Sequence, residues 1–360
     1  MPQRQTQRSG DGSTNVQGEH VEYTALAQYG ISYDDAKSIA LEVYESNITR
    51  FTKIAHEAAL ERAKNFTEKL LGDIAPESLE ALKDPDVQRM LFMAQQEFAC
   101  SGEDEIGDTL VKLLAERITN SRDGMRRLVV NEALRLTPRL TPDHISLLTC
   151  NFFLKYVSFA EIRTAQDLAT ELEKALRFHQ EDIFRLGQSD IDYLLGTGCL
   201  TVTSGFIQES MSPGRYMGLN YPGIFTQGFT LNDFPNGHLL IDTPLIESYS
   251  STDGDRYRVR AISESDLDVI LRRYNLEEKR EAAMSALRSR VQPEHVILEE
   301  VLLHVPHLRN FFNRWKALGM SSYKSSSSAV AIAHANARRL SNGEFSTPLG
   351  NWLDPQGEFD

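Results

Sequence analysis

Three cysteines, two tryptophans and no apolar run long enough to cross a membrane mark this 360-residue chain by what it lacks. Cys100, Cys150 and Cys199 are odd in number and roughly fifty residues apart, a spacing that suits neither a disulfide framework nor a metal knuckle. They are expected to be buried thiols. The most apolar stretch, residues 145–160, carries Asn151 and Lys155 and falls short of the ~20 apolar residues a spanning helix needs. It reads as a buried core helix. Arg4 and Arg8 are followed by no apolar segment of secretory type, so the expected location is the cytoplasm. Also missing are a Gly-rich loop ending in Gly-Lys-Ser/Thr, a G-x-G-x-x-G, an H-E-x-x-H, a C-x-x-C and a G-x-S-x-G. The common nucleotide, zinc and serine-hydrolase readings therefore have no support, and no cofactor is expected.

What is present is an ordinary globular composition, 41% hydrophobic and 25% charged, with a net charge of −13. That charge disfavours nucleic acid unless basic residues gather on one face. Residues 1–30 form a polar Gly/Ser leader in which Val16 and Val21 mark a short possible strand. From Ser32 the texture changes. Ser32 with Asp35 makes a helix start, and Ile39, Val43, Ile48, Phe51, Ala55 and Phe66 then recur at helical spacing. One helix from Ser32 to Leu71 would be about 60 Å long. A stripe of that length needs another surface to cover it, so Val16, Val21, Val43, Ile48 and Phe51 are expected to hold a homo-oligomer together.

Shorter helices follow to residue 186, with starts at Pro76, Pro85, Ser101/Asp104, Thr141-Pro142 and Thr164/Asp167. Residues 187–262 switch to Gly, Pro, Thr and aromatic residues in short alternating runs, which predicts a small antiparallel sheet of four or five strands. Helices return over 263–345, with Ser263/Asp266 and Asn275/Glu278 as capping pairs, before a tail at 346–360. The fold class expected is mainly α with a small inserted antiparallel sheet, and a long N-terminal helix in a helical bundle.

Three groups of side chains are candidates for chemistry. Arg256, Arg258 and Arg260 alternate along a strand and so share a face, and with Arg215 they suit a phosphate or an acidic partner; blocking edge-to-edge pairing is the competing role. Cys199 and His238 are the minimum for a thiol nucleophile, with Arg215 and Asp233 in the same stretch as further members of a hydrolase-like pocket. Glu300, His304 and His307 would share a helix face and could ligate a metal, but Pro306 stands between the histidines and breaks that face, so no metal is expected.

The segments "RAKNFTEKLL", "DPDVQRMLFMAQQEFACSG", "TLVKLLAERI", "VVNEALRLTPRLTPDH", "DYLLGTGC", "YPGIFTQGF" and "SSAVAIAHANAR" resemble an uncharacterised family of bacterial proteins known by locus names. The resemblance covers most of the chain and implies no catalytic residue. The leader containing "NVQ" is similar to short leaders placed before unrelated domains in bacterial conflict and immunity proteins, which implies a role in assembly and a context of defence or stress. The expected function is a self-associating cytoplasmic interaction protein with an unknown protein partner; an effector hydrolase with its pocket in residues 190–262 is the alternative.

Overall fold

The computed structural model describes residues 32–45, 53–120, 124–159, 161–202, 212–230, 232–233, 237–251, 254–341 and 344–353. Val16, Val21, Ile48 and Phe51, and with them the leader strand, lie outside the described residues. The chain forms two compact units, residues 1–139 with 342–346 and residues 140–341 with 347–360. The first division thus falls at 139/140, ahead of the change in sequence texture at 186.

In the first unit, the stretch expected as one helix is two: α1, Tyr33–Glu45, and α2, Lys53–Asp73. Ser32 caps α1 by accepting from Asp35 N at 3.1 Å, as the S-x-x-D spacing predicts. Lys37 pairs with Glu68 at 2.8 Å. On one continuous helix those residues would be about 46 Å apart, so the two helices run antiparallel. Tyr44 then packs on Ala59 and Ala63, and the small residues that looked like an uncovered stripe are covered by the neighbouring helix. The apolar periodicity of the sequence runs on through residues 46–52, so the pattern gives no sign that the helix is two.

Helix α3, Pro85–Ser101, starts as expected at Pro85, with Asp84 accepting from Asp86 N and Val87 N. Gln95 on α3 donates to Ala40 O and to Thr67 Oγ1, binding α1, α2 and α3 through one buried amide. Gly102 ends α3 with φ +67°, and the Arg62 guanidinium lies where a Cβ would be. Ser101 is the last residue of α3 and not the cap of α4, Asp104–Thr119, whose N-cap residue is Glu103. Pro76 opens a 3-10 segment, Pro76–Lys83, in place of an α-helix.

Arg117 on α4 has its side chain 1% exposed and donates to Asp86 Oδ2 at 2.8 Å and to Asn131 Oδ1 at 3.1 Å. Asn131 lies on α5, Gly124–Leu136, and also donates to Asp86. Arg89, Arg117 and Asn131 together hold the Asp86 carboxyl far below the usual carboxylate range.

The second unit is built on α6, Pro142–Lys155, against α15, Ser327–Leu340. Thr141 caps α6 as predicted, accepting from His144 N. Helix α6 is buried nearly all round, as its apolar run requires. The two helices are also joined by Asn336 Nδ2 donating to Thr149 Oγ1 at 2.9 Å. Between them in sequence lie α7 (Ala165–Leu176), α8 (Gln180–Arg185), α9 (Gln188–Gly196), α10 (Pro213–Asn220), α11 (Glu264–Tyr274), α12 (Arg280–Arg288), α13 (Glu294–His304) and α14 (Leu308–Ala317). Thr164/Asp167 and Ser263/Asp266 cap α7 and α11 as expected. Asn275 does not start a helix; it closes α11 at φ 54°.

The expected sheet of four or five strands is two separate antiparallel ladders among the described residues. Strand β1, Leu200–Val202, pairs with β4, Tyr323–Ser325, more than a hundred residues on. Strands β2, Ile246–Ser251, and β3, Gly254–Val259, form a hairpin. Its apolar face packs on α11 and α12 through Val259, Leu267, Leu271 and Leu287.

A buried polar chain joins α6 to α8. Ser146 donates its one hydroxyl hydrogen to Asp182 at 2.6 Å, so His179 Nδ1, 3.0 Å from the same oxygen, must carry the proton it donates. His179 is 2% exposed, and burial pushes it down to about 4, against the opposing field of Asp182 and with the field of Arg339. The folded state thus refuses a proton that the unfolded chain accepts below about 6.5. Stability is full above that pH and falls between about 6.5 and 4, by about 3 kcal/mol at about 1.4 kcal/mol per unit. His179→Gln is expected to flatten the denaturant midpoint over that interval, and an equally steep fall in the variant would contradict the assignment.

Candidate functional site

The arginine-lined strand expected from sequence is β3, and its three arginines separate. Arg256 donates to Gln227 O at 3.2 Å and Gly228 O at 3.3 Å, which ties it to the neighbouring loop. Arg258 pairs with Glu247 across the hairpin at 2.6 Å and lies over the Tyr249 ring. Arg260 reaches the same carboxylate more loosely, at 3.5 Å. Phe229 bridges the outer edge of β3 at one point, exchanging two backbone hydrogen bonds of 2.8 Å with Tyr257. That bridge covers one residue of the edge, so blocking edge-to-edge pairing remains a role these arginines can serve.

Arg260 stands in a cleft that sequence reasoning did not assemble. A chamber of about 530 Å³ is lined by Arg163, Arg260, Arg273 and Ser265 and by Phe159, Tyr221 and Ile270. A second chamber of about 350 Å³ contains Arg258, Glu247, Ile224 and Glu300. Arg163, Arg260 and Ile262 line both chambers, so the two guanidinium groups stand between them. A third hollow, sharing Phe159, Glu161 and Ile162 with the first, is acidic through Asp167 and Glu171. The basic character is thus confined to one end.

Three segments place these groups. The α6–α7 connection carries Phe159, Glu161 and Arg163; Phe159 stacks on Phe153, and its N–H donates to Tyr221 Oη. Glu161 at φ 59° holds the left-handed conformation that a non-glycine residue rarely adopts, a strain retained where the surrounding structure demands it. The second segment is the start of α11. Asp266 there accepts from Ile262 N at 3.0 Å, so its carboxylate is engaged with the backbone and with the helix N-terminus. The third is the "YPGIF" turn. Gly223 N donates to Ile262 O at 3.0 Å, and a Cβ on Gly223 would lie 2.0 Å from Ala261 O. Only glycine lets the turn approach the 261–262 backbone this closely, and that approach sets Tyr221 on one chamber and Ile224 on the other.

Of the charged groups facing the cleft, Glu247 is held by Arg258 and Asp266 by its cap. Among the described residues no hydrogen bond or ion pair engages the guanidinium of Arg163 or Arg273; Arg163 acts through space on Asp167. The first chamber therefore sets three arginines against Glu161 and Asp266, a local positive excess in a chain of net charge −13.

The other candidates lie apart. Arg215, on α10, borders a small groove of about 220 Å³ with Leu219, Arg288 and Ile297. Asp233 is paired with Arg290 at 2.8 Å, His238 is exposed, and Cys199 is fully buried where β1 begins. Arg215 lines that groove, and Asp233, His238 and Cys199 line none of these chambers. Cys150 is also buried, but Cys100 is exposed, unlike the expectation for it. Helix α13 ends at His304, and His307 lies beyond Pro306, where it meets Glu173 at 3.2 Å. Glu300, four residues before His304, faces the second chamber. Among the described residues no group of three His, Cys, Asp or Glu side chains is placed to hold a metal ion. Val43 is half-buried on α1.

A family model described only by a "-like" designation matches residues 30–353. The chain belongs to that family. The family is uncharacterised, so membership carries no activity to this site, and the match begins after the leader. No curated protein and no solved structure matches the chain. Among the described residues no helix is long and apolar enough to cross a membrane.

One further polar centre escaped sequence reasoning. Lys155, at the end of α6, donates to Met320 O and Tyr323 O at 2.6 Å each and lies between the Tyr216 and Trp315 rings. Burial, with Lys324 adding repulsion, pushes it down to about 8. Its signal in the sequence was a lysine inside the most apolar stretch of the chain. With two of its three donors on carbonyls, it serves to fasten the segment before β4.

Proposed function

We propose that this protein is a binding protein and not a catalyst, and that it recognises an anionic group in the cleft around Arg163 and Arg260. The observation that carries this is the convergence of three arginines from separate segments on one concave surface. Among the described residues Arg273 has no ion-pair partner, Arg163 meets Asp167 only through space, and Arg260 is held only loosely. Guanidinium groups in such an arrangement present forked donors to carboxylate or phosphate oxygens. Arg260 can turn to a ligand at small loss, because an exposed pair at 3.5 Å contributes little and Glu247 keeps Arg258. No side chain in the cleft forms the nucleophile and base pair that acyl or phosphoryl transfer would need.

Self-association was expected because a stripe about 60 Å long needed a cover. The antiparallel pairing of α1 and α2 supplies one within the chain, so that argument no longer supports it. The context of bacterial defence rests on the leader alone.

Melting temperature followed in phosphate, sulfate and citrate at constant ionic strength tests the cleft. These anions strengthen most folds non-specifically, so the comparison is with Arg163→Gln/Arg260→Gln. The wild-type protein is expected to gain several degrees more than the double variant. Equal gains in the two proteins would remove the cleft as the site.

A further inference from the structure

We infer that the anion recognised in the cleft is a phosphate monoester carrying an apolar, ring-sized body; this rests on the cleft being an anion site. The first chamber has two chemically different sets of lining residues. One is Arg163, Arg260 and Arg273 with Ser265. A carboxylate has two oxygens and is satisfied by one or two forks, whereas a phosphate monoester offers three terminal oxygens that three guanidinium groups can share. The other set is Phe159, Tyr221, Ile162 and Ile270. Phe159 is fixed by stacking on Phe153, and Tyr221 is 4% exposed with its hydroxyl against the backbone of Phe159. These groups are held in place without a ligand, and inorganic phosphate alone would leave the part-exposed Phe159 and Ile270 uncovered.

Volume argues the same way. About 530 Å³ lies in the range of small-molecule sites and is far more than a bare phosphate fills. The acidic hollow beyond Glu161 limits how far negative charge can extend, which disfavours a polyanionic chain. The ligand therefore has one doubly charged end and an uncharged remainder.

Calorimetric titration with phenyl phosphate, inorganic phosphate, benzoate and tetraglutamate tests the inference. Phenyl phosphate is expected to bind at least about tenfold more tightly than each of the other three, since burying a ring against these apolar groups contributes at least about 1.4 kcal/mol. Arg163→Gln/Arg260→Gln should weaken it at least about tenfold. Val269→Asn, a half-exposed change on the chamber wall, should narrow the gap between phenyl phosphate and phosphate while leaving phosphate binding unchanged. Benzoate or tetraglutamate binding as tightly as phenyl phosphate, with the same loss in the double variant, would overturn the phosphate ester and keep the anion cleft. Failure of all four probes to bind would remove both.

Discussion

Asp86→Ala is expected to lower folding stability by about 3–5 kcal/mol, the range for removing one partner of a buried ion pair. Asp86 is the shared acceptor of Arg89, Arg117 and Asn131, and the Arg117 side chain is 1% exposed. Truncating the carboxylate leaves a charge that can neither reach water nor lose its proton. Arg117→Met is expected to cost less, because methionine fills most of the volume and Asp86, 31% exposed along its side chain, keeps Arg89 and water. The order of the two variants matters more than either value. Denaturant midpoints showing Arg117→Met as the more damaging would mean that packing and not charge dominates the site.

The same carboxylate sets an acid limit. Its folded value lies well below the unfolded 3.8, so its contribution is complete above that pH and disappears as pH falls further. This loss is separate from that of His179, which ends near 4, where the Asp86 loss begins. Acid unfolding should therefore steepen in two stages.

Gly223→Ala is the second change with a large expected effect. The new methyl would meet Ala261 O at 2.0 Å and Ile262 Cα at 2.9 Å, both backbone atoms that cannot swing aside. The turn must move outward, with loss of the Gly223 N to Ile262 O bond and displacement of Tyr221 from the chamber. Overpacking of this kind costs about 1–3 kcal/mol or more. Binding of anions should fall together with stability. Gly196→Ala is the matched control, since nothing lies within 4 Å of a Cβ there and φ is not positive. It should be neutral or slightly stabilising, because alanine restricts the unfolded chain. A Gly223→Ala protein as stable as Gly196→Ala would show that the approach of the turn is looser than described.

Local chemistry was the legible part of this sequence. Caps at Ser32, Thr141, Thr164 and Ser263 lie where the spacing of hydroxyl and carboxylate side chains puts them, because each acts within three residues. Pairings over long separations were not legible. Strand β1 finds β4 across most of the second unit, and the hairpin of α1 and α2 is silent in a pattern that repeats on both sides of it. The site divides on the same line. Alternation along β3 pointed to Arg258 and Arg260, but it could not tell that Arg256 would be drawn to Gln227 O and Gly228 O. Arg163 and Arg273 were missed because neither belongs to the alternating strand pattern, and only the folded chain brings them into one chamber with Arg260. Buried Ser146 and His179 and the half-buried Asp182 are likewise contributed by two elements, with no motif to announce them.

The central claim is that the anion site lies at Arg163 and Arg260. A crystal of the protein soaked in tungstate, an electron-dense tetrahedral analogue of phosphate, tests it most directly. One strong peak within hydrogen-bond distance of both guanidinium groups, absent from Arg163→Gln/Arg260→Gln, is the predicted result. Tungstate bound instead beside Arg215 and Arg288, or an empty cleft at saturating tungstate, would contradict it.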